Sequence, residues 1–306
     1  MRPSRPNHML IVSGLLFAVF LWGGNNAGTK YIVAFWPPVW TGASRFLIAG
    51  LVLLLVIRLY EKNRAVAAPG LKVRLWLRGG LSLAIYITAF NLAVKHTAAS
   101  HVALYLGASP VWALLWEGWP RRNLDSLRRY GAAILALCGV VVLFWDSLKA
   151  AGTGWLGESL GLCASVLWTN YGRQCKQLGT ELSPARVTAS TMWRAGVLLM
   201  PIACFELFAR PLQWRWDIGA IQLYCIIAGG VVSFLIWNSA LSHWRTSQVL
   251  LFNNLIPLST TAWAAVCLGE KIGPRFWTSM ALVLAGVAIG QASWARLVAL
   301  RTVPPE

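Results

Sequence analysis

The residues best equipped for recognition chemistry fall into two stripes. At helical spacing His101, Tyr105, Ala108, Trp112 and Trp116 share one face, and Gln248, Phe252, Leu255, Ser259 and Trp263 share another. Tyr86, Phe90 and Asn91 repeat the mixture, as do Ser233, Trp237 and Asn238. Aromatic and amide side chains together suit a pocket that stacks a flat or apolar group and hydrogen-bonds a polar one. The plainer alternative is that the rings pack among themselves or sit at lipid headgroups. Arg45 and Arg194 interrupt apolar runs, where a charge needs a carboxylate, carbonyl groups or water. They either recognise an anionic group of the substrate, or order the end of their own repeat or snorkel to a phosphate. His101 and Glu117 are the titrating groups expected beside these stripes, with Glu117 expected to pair with Arg121 or Arg122. Covalent and metal chemistry find no support. His8, His96, His101 and His243 are scattered, and no His-x-x-x-His or Asp-x-x-Asp spacing occurs. The six cysteines all sit in apolar segments, with no Cys-x-x-Cys pair. No catalytic residue, metal, cofactor or disulfide is expected.

What must position these side chains is a set of membrane-spanning helices. Of 306 residues, 57% are hydrophobic and only 12% charged, too few to cover the apolar surface of a soluble domain. A lipid bilayer has to be the missing solvent. The net charge of +17 lies in short clusters between long apolar runs, so it marks topology rather than a nucleic-acid surface. Apolar stretches of about the ~20 residues that span a bilayer recur at 9–29, 38–57, 75–94, 98–119, 127–145, 153–174, 186–208, 217–240, 246–268 and 276–295. The first has charged residues before it like a secretory signal but no small-x-small cleavage site, and is expected to stay as a helix. Counted by alternating sides, Lys and Arg number 18 on the side of the N-terminus and 7 on the other, with Arg45 and Arg194 inside helices. Both termini are therefore expected in the cytoplasm, and the chain in the inner (plasma) membrane.

The chain also repeats itself. A shift of 147 residues aligns Asn91 with Asn238, His96 with His243, Ser100 with Ser247, Pro110 with Pro257, Trp116 with Trp263 and Gly139 with Gly286. A shift of 146 aligns Trp22 with Trp168 and Lys30 with Lys176, and one of 149 brings Arg45 onto Arg194. The unit is five helices, 1–149 and then 150–306. Because five is odd, the second copy enters the membrane from the opposite side, the inverted-repeat construction of secondary transporters. The expected fold is all-α: ten transmembrane helices as two inverted five-helix repeats. Pro110 should free the carbonyl of Leu106, and Pro257 that of Asn253, in bent helices beside a pathway or at packing kinks.

Leu21-Trp22-Gly23-Gly24-Asn25-Asn26 with Lys30, Thr41-Gly42-Ala43-Ser44-Arg45-Phe46 with Ala49-Gly50, and Ser109-Pro110 then Ile256-Pro257 with Gly269-Glu270-Lys271 and Gly286 carry a family likeness. In their order they resemble the drug/metabolite transporter superfamily, specifically its EamA-type ten-helix exporters and permeases. The resemblance implies a central pathway lined by the first four helices of each half, and transport of amino acids, related metabolites or drugs. The chain departs from the pattern at Arg122-Asn123 and at Trp168-Thr169-Asn170, and helix one lacks the glutamate of the small multidrug branch.

Together these readings lead to a carrier, an exporter, of a small neutral or anionic metabolite such as an amino acid, working by alternating access. The substrate-binding residues expected are Trp22, Asn25, Tyr86, Asn91, His101, Tyr105, Trp112, Trp168, Trp237, Asn238, Gln248, Phe252 and Ser259, with the two stripes facing each other across a cavity. A membrane enzyme and a non-transporting scaffold are the rival classes. Sealed-vesicle transport separates all three.

Overall fold

A computed structural model of the protein describes residues 8–60, 69–116, 124–149, 154–244, 249 and 252–301. Among these residues the chain forms helices and no strands. In order they are α1 (His8–Phe35), α2 (Pro38–Tyr60), α3 (Leu71–His96), α4 (Ala99–Gly107 and Ser109–Trp116), α5 (Leu124–Lys149), α6 (Gly154–Leu178), α7 (Pro184–Ala209), α8 (Trp216–His243), α9, described as a helix over Ile256–Leu268, and α10 (Pro274–Arg301). Five of them, α1, α2, α3, α7 and α8, combine the length and the apolar composition to cross a bilayer unaided. The remainder complete two inverted five-helix repeats of a membrane bundle.

Lipid offers helices no hydrophobic gain on meeting, so close backbone approach has to supply the attraction. Helices α2 and α7 meet in this way: Gly50 faces the Trp193 backbone and Gly196 faces Leu47, and a methyl on either glycine would overlap main-chain atoms. Helices α5 and α10 meet through the repeat-related pair Gly139 and Gly286, with Ser279 Oγ donating to the Gly139 carbonyl at 2.5 Å. At the middle of the bundle repeat partners again touch. Trp22 of α1 and Trp168 of α6 stand edge to face, centroids 5.8 Å apart. Asn253, at the start of α9, donates its Nδ2 to the Leu106 carbonyl at 3.2 Å, and Gly107 packs on Pro257. The carbonyl that Pro110 was expected to free is thus taken by the side chain of its own repeat partner; Ser109 Oγ reaches it too.

Both α3 and α8 widen into π-helical geometry, over Leu75–Gly80 and Cys225–Val232, each at a Gly-Gly pair. In α8 the consequence is direct. Gly229 leaves room for the Asn25 side chain, and its carbonyl accepts Trp22 Nε1 at 3.0 Å. Acidic side chains fix two helix starts, where free N–H groups and the helix dipole favour negative charge. Glu206 accepts from Val39 N and Trp40 N at 2.9 and 3.1 Å, holding α2 to α7. Gly269, at φ 66°, ends α9 in the left-handed region, and Glu270 beside it accepts from Ala99 N at 2.8 Å and Ser100 Oγ at 2.8 Å. This gives the Gly-Glu pair of the sequence motif a structural role: it turns the chain and caps α4.

Candidate substrate site

Side chains from both parts of the chain line a cavity whose walls are Trp22, Asn25, Asn26, Arg45, Tyr86, Phe90, Leu106, Trp168, Phe234, Asn253 and Ile256. Its volume is about 30 Å³, room for a couple of waters. One wall is aromatic. Trp22 contacts Trp168, Phe234 and Trp237, the last at 5.1 Å between centroids, and Tyr86 lies 5.1 Å from Trp168. The other is polar. Arg45, two turns into α2 and 4% exposed, donates NH1 to Asn25 Oδ1 at 3.0 Å and to Thr29 Oγ1 at 3.3 Å. Asn26 donates to Thr260 Oγ1 at 3.0 Å.

Among the described residues no carboxylate pairs with Arg45, and neither its Nε nor the Oδ1 of Asn253 has a hydrogen-bond partner. Buried polar atoms left without partners are costly, so two of them on one cavity wall mark where a ligand's complementary groups would be favoured. Arg194, its repeat counterpart, sits differently. Its NH1 returns to the Ser190 carbonyl at 3.0 Å, and its guanidinium rests over Trp193 and Trp76 at 4.3 and 5.4 Å. Arg45 thus faces the cavity, and Arg194 stays on its own helix among aromatic rings.

The structure brings together Trp22, Asn25, Tyr86 and Trp168 at the cavity, with Trp237 immediately behind Trp22. Asn91 and Asn238 do other work: Asn91 Nδ2 donates to the Pro38 carbonyl at 2.8 Å, joining α3 to α2, and Asn238 Nδ2 to Thr188 Oγ1 at 2.5 Å, joining α8 to α7. The α4 stripe does not face α9. His101 and Tyr105 meet Glu158 of α6, and Trp112 Nε1 donates to Ser165 Oγ at 2.9 Å. On the quasi-equivalent face Ser259 packs against Gly23 of α1, and Phe252 against Trp244. Gln248, Glu117, Arg121 and Arg122 lie outside the described residues. The cavity instead receives the positions one step round, Leu106 and Asn253. Arg45, Asn26 and Asn253 are cavity residues that the expected set omitted, although each stood in a motif already singled out. Glu158 corrects the view that His101 and Glu117 are the titrating groups to consider.

Comparison with known proteins agrees with this architecture. A model of the EamA-like transporter family matches residues 9–145 and again residues 155–289. An uncharacterized transporter of Archaeoglobus fulgidus is 25% identical over 291 residues, 87% of this chain and 98% of that protein. A probable amino-acid metabolite efflux pump of Salmonella typhimurium is 25% identical over 284 residues, covering 90% and 92%. An S-adenosylmethionine/S-adenosylhomocysteine transporter of Chlamydia trachomatis is 23% identical, covering 87% and 84%. One crystal structure superposes with a TM-score of 0.66 at 19% identity, over 95% of this chain and 99% of that one, a likeness of fold.

Proposed function

The chain belongs to the EamA-like transporter family, and from that premise we propose that it is a secondary carrier exporting a small metabolite with an anionic group and an apolar part, such as an amino acid. The family is one of transporters, which sets the enzyme reading aside. The observation that carries the substrate class is Arg45: a buried guanidinium on the wall of a central cavity, held by an amide and a hydroxyl and by no carboxylate among the described residues. A substrate carboxylate would complete its coordination, in the bidentate geometry that arginine favours. Asn25, Asn26 and Asn253 would hydrogen-bond an amino group or amide, and Trp22, Tyr86 and Trp168 would take the apolar part. The names of two relatives, an amino-acid metabolite pump and a transporter of an amino-acid-derived cofactor, point the same way.

On this reading the carrier works by alternating access: halves 1–149 and 150–306 exchange conformations so that the site faces one side and then the other. The narrowness of the cavity supports this reading, since walls this close must part to admit a solute larger than a few waters. In the cell the protein would lie in the inner membrane with both termini cytoplasmic. The test is counterflow in liposomes loaded with single amino acids or with neutral amines. Wild type should accumulate labelled amino acid, and Arg45→Gln should weaken apparent affinity about 10- to 100-fold, the worth of ~1.5–3 kcal/mol for a charged hydrogen bond. Accumulation of amines alone, with Arg45→Gln unchanged, would remove the anionic substrate class.

A further inference from the structure

Away from the cavity, a second polar cluster occupies the end of the bundle opposite both termini. Glu158, one turn into α6, is 1% exposed. Its Oε1 accepts the Thr97 hydroxyl at 2.5 Å and faces His101 Nδ1 at 2.8 Å, while its Oε2 accepts the Tyr105 hydroxyl at 2.5 Å. Thr97 ends α3 and the other two belong to α4, so one carboxylate fastens both helices to α6. The charged and titratable groups around it among the described residues come from several elements. Helix α4 contributes His101 and Tyr105; the end of α3 contributes His96, beside Lys95; α1 contributes Lys30, whose Nζ donates to the Thr97 carbonyl at 2.8 Å. The turn after α9 contributes Glu270, and α10 lays Phe276 flat on His101 at 6.2 Å.

The repeat shows that helix packing does not require this chemistry. Under the shifts that align the halves, Glu158, Thr97, His101 and Tyr105 correspond to Val12, Trp244, Gln248 and Phe252. None of those four titrates, and Trp244 and Phe252 pack ring to ring at 6.3 Å. At the corresponding place in the other half two aromatic rings meet, where the Glu158 cluster is built around an ionisable group.

Opening the Glu158 end requires α4 and the end of α3 to part from α6, which strips donors from the carboxylate. An ionised acid deprived of its hydrogen bonds in a poorly solvated place is disfavoured against the neutral acid. Opening and proton uptake are then linked. We propose that Glu158, with His101, is a proton-binding site that latches this end: ionised, it holds α3 and α4 on α6, and protonated, it lets them go. The proton comes from hydronium on that side of the membrane, reached past the His101 side chain, which is 29% exposed. An O–H bond forms on a Glu158 oxygen, water is left behind, and the hydrogen bonds from Thr97, Tyr105 and His101 are released. Calling this opening a gate rests on the carrier reading; the protonation and the release do not.

The experiment therefore needs no substrate. Purified protein in lipid nanodiscs is brought from about pH 8 to about pH 3.5, a window spanning the ordinary histidine and carboxylate values. Hydrogen exchange of peptides over 97–106, corrected for intrinsic rate, is followed together with the infrared C=O band of a protonated carboxyl. In wild type, acidification should raise exchange about tenfold, the worth of one charged hydrogen bond, as the band grows. Glu158→Gln should exchange fast at every pH and lack the band. Tyr105→Phe removes a donor but leaves the carboxylate and the imidazole, so it should exchange faster throughout and keep the pH dependence. His101→Gln removes the ring nitrogen that faces the ionised acid at 2.8 Å, and should move the midpoint to higher pH. Peptides across the α5–α10 contact report whether each variant is folded. A flat wild-type profile, or a pH dependence that survives Glu158→Gln, overturns the proposal; a variant that loosens at α5–α10 leaves the wild-type and Tyr105→Phe profiles to decide. Failure of counterflow with these signals intact would count against the carrier reading alone.

Discussion

The contact between α5 and α10 offers a sharp test of the duplicated architecture. A methyl on Gly139 would stand 2.7 Å from the Ser279 carbonyl oxygen and 2.9 Å from Val283, and one on Gly286 would stand 2.5 Å from the Ala132 oxygen and 2.6 Å from Ala136 N. Most of these neighbours are main-chain atoms that no rotamer change can move, so the helices must separate. Overpacking of this kind costs about 1–3 kcal/mol, offset by about 0.5–1 kcal/mol from replacing a helical glycine. Gly139→Ala and Gly286→Ala should therefore each lose about 1–2 kcal/mol. Gly131, in the same helix α5, has nothing within 4 Å of where its methyl would be, and Gly131→Ala should gain the propensity term alone. One separation of α5 from α10 relieves both clashes, so the double variant Gly139→Ala/Gly286→Ala should cost clearly less than the sum. Thermal unfolding of the detergent-solubilised protein, followed by thiol-reactive dye or by loss of the monodisperse peak, reads all four. If Gly139→Ala stabilises as Gly131→Ala does, or if the two losses add fully, the packing described is wrong.

Other expectations follow from particular contacts. A reporter fused after Glu306 should be cytoplasmic and one inserted near Lys149 external; the reverse pair would overturn the orientation drawn from the 18-to-7 distribution of Lys and Arg. Arg194→Met should leave counterflow within about twofold, since that guanidinium rests on Trp193 and Trp76 outside the cavity and a methionine fills much of its volume; a loss as large as that of Arg45→Gln would show the two arginines to be equivalent. Asn238→Ala removes the hydrogen bond to Thr188, joining α8 to α7, and should cost about 1 kcal/mol in thermal unfolding without changing the affinity measured by counterflow.

The helices and their duplication were legible because membrane spans announce themselves by length, and repeats by rare residues such as Pro110 with Pro257 and Gly139 with Gly286. The rotation of each helix was not. When every face is apolar, the amphipathic signal that orients a soluble helix vanishes. The polar stripe of α4 could then be read toward α9, although it turns to α6, and Leu106, one position from Tyr105, takes the cavity instead. Glu158 was missed because its partners lie 53 and 57 residues away and it stands one turn from a helix start, where an acid looks like an interfacial residue. Its alignment with Val12 was the available signal: a buried charge in one copy where the other has a hydrocarbon. The paired Gly-Gly sites of α3 and α8, 150 residues apart, were also visible, but not what each meets: Thr191 and Arg194 beside Gly79 and Gly80, and Asn25 beside Gly229.

The unlike fates of Arg45 and Arg194 bear on energy as well as recognition. In a perfect inverted duplicate the state open to one side and the state open to the other are the same object turned over, so they are degenerate and equally populated. Every difference between the halves lifts that degeneracy. A guanidinium buried beside Asn25 in one copy and leaning on Trp193 in the other is a large difference, because moving either half changes how a full charge is solvated. An imbalance of only ~1.4 kcal/mol sets a tenfold preference for one facing of the empty carrier. For a carrier working by alternating access, the resting orientation would thus be written in the places where its two copies have ceased to match.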